Sequence, residues 1–125
     1  MKVFARLLLA FSALVFAIGA YVHTSAFNKI SVAVASSDLM PFAGKSLKIL
    51  WLEDSIVLVV LAIVSATIAA RPATASKWII VLLALIPGAT ALLVYCFIGN
   101  FIGGHILIAA GIAAILGGLL LRGQS

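Results

Sequence analysis

The sequence predicts an all-α integral membrane protein, a four-helix bundle, and three observations carry that prediction. Of its 125 residues 66% are hydrophobic and only 9% charged, against roughly 25% charged in an ordinary soluble domain. The apolar residues form four continuous runs, at positions 3–22, 49–70, 78–98 and 101–121, each close to the ~20 residues that carry a helix across a ~30 Å hydrocarbon layer. Their continuity excludes a β-barrel, whose strands alternate apolar and polar side chains over ~10 residues. Lipid offers the backbone no hydrogen-bonding partner, so each run must be a helix. What lies between is a loop at 23–48, short links at 71–77 and 99–100, and two brief tails. The chain is read as one membrane domain, 1–125, with the lipid bilayer as its first partner.

The first run has a second reading. Lys2 and Arg6, an apolar stretch and then Thr24-Ser25-Ala26 resemble a secretory signal with a cleavage site. The run reaches Val22 and outlasts the apolar core of a typical signal, which favours a retained span. An even number of spans puts both termini on one side. Lys2, Arg6, Arg71, Lys77 and Arg122 share that side, against Lys29, Lys45 and Lys48 on the other. The positive-inside rule then places the termini in the cytoplasm of a plasma or inner membrane. The formal net charge of +5 suits anionic lipid; without a basic patch interleaved with aromatics, no nucleic acid is expected.

The long loop is apolar for a linker. Phe27, Ile30 and Val34 recur at helical spacing, which predicts a short amphipathic helix on the membrane surface. Ser36-Ser37-Asp38, then Pro41 and Gly44, mark a turn before the second span. In the third span, Pro87-Gly88 predicts a kink near Leu83, because proline lacks a donor and crowds the carbonyl four residues back.

The fourth span is the most patterned. Gly104, Gly111 and Gly118 recur every seven residues, as do Gly103, Ala110 and Gly117, giving two rows of small side chains on one helix face. Such rows let membrane helices approach closely. They serve packing within the bundle, or else a homo-oligomer or larger membrane complex through span four. Cys96 is the one cysteine, so no internal disulfide forms, and its simplest role is packing.

Four ionisable side chains cluster at the outer ends of the spans: Glu53 and Asp54, His105, and His23 directly after span one. Glu53 and His105 each come four residues into a span, which predicts a similar depth. Ionised groups near lipid seek partners or a wet cavity, so these four form the expected ligand or ion-binding site, with Asn100, Tyr95 and Thr24 at the same end. Glu53 and Asp54 stand about 100° apart on a helix, so one of them faces inward. The plainer account is an interfacial cap, with acids favoured in the first turns by the helix dipole. No Glu-x-x-His or His-x-x-x-His spacing indicates a metal, and no cofactor is expected. A nucleophile elbow and a phosphate loop are likewise missing from the sequence. Small four-span multidrug transporters share the size but depend on an acid in span one, and span one here has none.

Two functions follow. The first is an accessory or helix-packing subunit of unassigned biochemical activity. The second is a binding or transport protein that handles a proton, cation or small amphipathic ligand at the polar cluster.

Overall fold

A computed structural model describes residues 2–122. Its elements are all helical. They are α1 (Lys2–Ser25), α2 (Phe27–Ala35), α3 (Pro41–Ala70), a 3-10 turn (Pro72–Thr74), α4 (Lys77–Phe97) and α5 (Ile102–Arg122). Four helical stretches are long and apolar enough to cross a membrane, with α1 and α2 counted as one.

Local chemistry sets most of the ends. Ser76 caps α4 by accepting the Ile79 N–H at 3.2 Å, and Pro41 opens α3 at a position where its missing donor costs nothing. Gly99 lies at φ +89° and returns its N–H to the Val94 carbonyl, a left-handed stop that glycine adopts without strain. The helix assignment of α4 runs unbroken through Pro87.

One expectation about the 23–48 segment needs correction: it is largely helical rather than a loop, with α2 the short helix expected around Phe27, Ile30 and Val34 and running on from α1. The Ala26 N–H bonds Val22 O and the Ile30 N–H bonds Ala26 O, so the i to i−4 ladder continues across the junction. Phe27, Ile30 and Val34 are half-buried in α2, but α2 packs against the start of α3, where Gly44 lets Val34 approach. Consequently α3 begins eight residues before the second apolar run: a helix needs no apolar composition where it packs on a neighbouring helix, so the polar stretch around Lys45 and Lys48 does not end it.

The helices lie in an open row, in the order α3, α1, α5, α4. Packing joins α3 to α1, α1 to α5 and α5 to α4, while α3 and α4 share no extensive contact among the described residues. Each buried stripe follows from that order. On α1 it is Ala5, Leu9, Ser12, Phe16 and Ala20; on α4 it is Ile80, Leu83, Pro87 and Ala91. α5 lies between two neighbours and buries both its rows except at Gly103, which is half-buried. The α1–α2 stretch, 34 residues, and α3, 30 residues, are both longer than the 21-residue α4 and α5, and they extend beyond the end of that pair.

Candidate functional site

His23, near the end of α1, is gripped by three side chains of α3. Trp51, Asp54 and Ser55 occupy positions i, i+3 and i+4, which project from one face of a helix. The imidazole stacks on Trp51 with ring centres 3.9 Å apart and planes 11° from parallel. The indole N–H donates to the His23 carbonyl at 2.8 Å. Nδ1 of His23 lies 3.0 Å from Ser55 Oγ, and Nε2 lies 3.3 Å from Asp54 Oδ2.

This arrangement is complete with His23 neutral or charged. In the neutral form the Ser55 hydroxyl donates to Nδ1 and the Nε2 proton points to Asp54. In the charged form both ring N–H groups donate, to Ser55 Oγ and to Asp54, and the Ser55 hydroxyl turns to the Trp51 carbonyl, 3.3 Å away. A proton can therefore arrive without orphaning any group of the cluster.

Serine, histidine and aspartate connected in series also resemble a hydrolytic triad. The surroundings argue against that chemistry. Ser55 is buried, at 5% exposure, and sits inside a continuous helix, where the neighbouring N–H groups are spent on the helix and cannot form an oxyanion hole. Nor does the cluster suit a metal: no group of three or more His, Cys, Asp or Glu side chains converges among the described residues, and zinc sites draw three or four protein ligands.

Of the four ionisable residues expected to form one site, the structure joins His23 and Asp54. Glu53 is exposed and makes no hydrogen bond or ion pair among the described residues, so Asp54 is the acid that faces inward. His105 belongs to a separate group on the α4–α5 hairpin. Its Nδ1 meets the Tyr95 hydroxyl at 2.8 Å and its Nε2 meets Asn100 Oδ1 at 2.7 Å. Since Asn100 Oδ1 only accepts, Nε2 carries the proton and the Tyr95 hydroxyl donates to Nδ1. The depths differ too. Ser12 Oγ donates to Ala110 O at 2.9 Å and Gly117 lies against Ala5 and Leu9, which aligns His105 several residues deeper than His23, roughly 6–9 Å.

The glycine rows of α5 meet different neighbours within the chain. A Cβ on Gly104, Gly111 or Gly118 would lie 3.0 Å from Tyr95, 3.1 Å from Pro87 or 2.7 Å from Ile80, all on α4. A Cβ on Gly117 would lie 2.8 Å from the Ala5 carbonyl of α1. Gly103 faces the Phe101 ring of its own turn. Cys96 is exposed.

Sequence reading overlooked Trp51 and Ser55. The signal was present in the Trp-x-x-Asp-Ser spacing, which puts three hydrogen-bonding side chains on one helical face. No protein-family model, curated protein or solved structure matches the chain.

Proposed function

We propose that the chain is an accessory membrane protein whose four spans anchor a helical hairpin that stands outside the bilayer and meets a partner there. The observation that carries this reading is the mismatch between the two halves. With 21 residues each, α4 and α5 measure roughly 31 Å, the thickness of the hydrocarbon layer. The α1–α2 and α3 arms outrun them, and the tip carries Met40 and Phe42 at 74% and 81% exposure. Exposed apolar side chains on a segment held clear of lipid are the mark of an interaction surface. His23 and Trp51 then fall at the level where tryptophan prefers to sit, between hydrocarbon and water.

Charge placement supports an outward-facing hairpin. Lys29, Lys45 and Lys48 are balanced by Asp38, Glu53 and Asp54 at the hairpin end, so the whole net charge of +5 belongs to Lys2, Arg6, Arg71, Lys77 and Arg122 at the other. Among the described residues the buried polar side chains are serines, at positions 12, 55 and 65, which also favours packing over transport. A photo-crosslinker at Phe42 tests the reading in cells. Adducts with one defined protein that vanish when Met40 is changed to serine are expected; adducts with lipid alone would refute it.

A second reading is favoured by one observation, the complete bonding of His23 in both proton states. It makes the His23–Asp54 pair a site for a proton, a cation or a small amphipathic ligand. Asp54→Asn separates the two. The amide preserves a hydrogen bond to His23 and leaves a packing joint working, whereas a charge-handling site loses its activity.

A further inference from the structure

Along the outer side of α1 and α3 runs a trough that no other helix of the chain fills. Its upper part, about 440 Å³, lies between Ala17 and Ala20 of α1 and Ala62 and Ile63 of α3. A lower part of about 440 Å³ starts at the same Ile63 and is lined from the α3 side alone, along Ala66, Thr67 and Ala70 to Arg71. Together they span Val59 to Arg71, roughly 18 Å along the helix, a little more than half of a ~30 Å hydrocarbon layer. The wall is apolar even at Thr67, whose hydroxyl donates to its own helix at Ile63 O, 2.8 Å away.

The lower end of the trough has a different chemistry. Arg71 is exposed, and its guanidinium makes no hydrogen bond or ion pair among the described residues. Across the seam, Gly19 meets Leu58 and His23 meets Asp54, an antiparallel register that brings Arg6 to the level of Arg71. Arg6 is exposed as well. Every Asp and Glu side chain sits at the opposite end of the helices, so none of them faces these two cations. An apolar slot about one leaflet deep that ends at the Arg71 guanidinium, with Arg6 level with it on the neighbouring helix, matches one kind of molecule.

We propose that the trough binds an anionic phospholipid of the cytoplasmic leaflet, one acyl chain lying along Ala66 and Ala70 and the phosphate held by Arg71 and Arg6. Guanidinium suits a phosphate because its planar fork donates two parallel hydrogen bonds. A second copy of this chain fits less well, since side by side in the same orientation it would bring no Asp or Glu side chain to Arg71. The site stands apart from the hairpin tip, so neither assignment depends on the other.

The test is lipid binding by the purified full chain in mild detergent, read by native mass spectrometry with phosphatidylglycerol and phosphatidylcholine. Phosphatidylglycerol is expected to bind more tightly, and Arg71→Gln to weaken it about five-fold, the ordinary worth of one basic residue at an anionic surface. Ala66→Phe, at an exposed position, is expected to displace the lipid while circular dichroism stays helical. Lys77→Gln, at the same end but on α4, is expected to change nothing. Equal weakening by Lys77→Gln and Arg71→Gln would overturn the proposal in favour of diffuse surface charge. Two other results would also overturn it: competition by glycerol phosphate alone, marking a site for the free anion, or loss of self-association in Ala66→Phe with lipid binding intact, marking a helix interface.

Discussion

The two hairpins of this protein each hold a histidine near the same end, and they hold it in opposite ways. His105 is bonded by Tyr95 and Asn100, residues 10 and 5 positions away on its own hairpin. His23 is bonded by Asp54 and Ser55, more than 30 positions away on another helix, and is covered by Trp51. A charged ring at His23 faces a carboxylate; at His105 it faces none. The first group closes a turn, whereas the second fastens α1 to α3 at the root of the arms that extend past α4 and α5. Local bonds shape a loop, and distant ones determine which helices are neighbours.

Several substitutions sharpen or break that contrast. The largest effect belongs to the seam that joins the two hairpins. Gly117→Leu drives a side chain into the Ala5 carbonyl, 2.8 Å from where a Cβ would stand, and backbone cannot step aside. A loss of about 3 kcal/mol is expected from such overpacking, read as a lowered unfolding midpoint in detergent. A midpoint within error of the parent would mean that α1 and α5 do not pack as described.

The histidines come next. His23→Ala removes a stacked ring and two side-chain bonds, an expected cost of about 2 kcal/mol, while His105→Ala, at an exposed position, should cost under about 0.5 kcal/mol. Equal losses in the same unfolding assay would erase the distinction between the two sites. A double-mutant cycle on His23 and Asp54 should return a coupling of about 0.5–1 kcal/mol. At the turn of the shorter hairpin, Gly99→Ala forces a Cβ onto a residue at φ +89°, costing about 1–2 kcal/mol; an unchanged midpoint would show that the turn relaxes. Glu53→Gln gives the smallest change, within about 0.5 kcal/mol as for other exposed positions, and a larger loss would reveal a partner for this acid.

How much of this was readable beforehand varies from element to element. The ends of α4 and α5 fall within a residue of the apolar runs, because both helices are about as long as the bilayer is thick. The start of α3 was not readable, since Lys45, Ser46 and Lys48 look like loop to any reading based on hydropathy. They are helical because α2 lies alongside them. Similarly, the sequence indicated that one of Glu53 and Asp54 turns inward without revealing which, and it offered no reason to separate His105 from His23. Both appear at span ends, and one-dimensional spacing says nothing of whether two helices touch.

The sequence by itself determined that the chain is helical, how many of its helices are long and apolar enough to cross a membrane and which end carries the charge, because backbone hydrogen-bonding needs and the length of apolar runs are properties of the chain alone. Only the tertiary structure decided the order of helices in the row, and with it everything that depends on adjacency. α5 lies between α1 and α4, so its two glycine rows face different helices. α1 lies beside α3, so His23 meets Asp54 and Arg6 stands level with Arg71, where the trough ends. Helix neighbours are chosen by the fit of whole faces, a sum over many weak contacts that no single motif records.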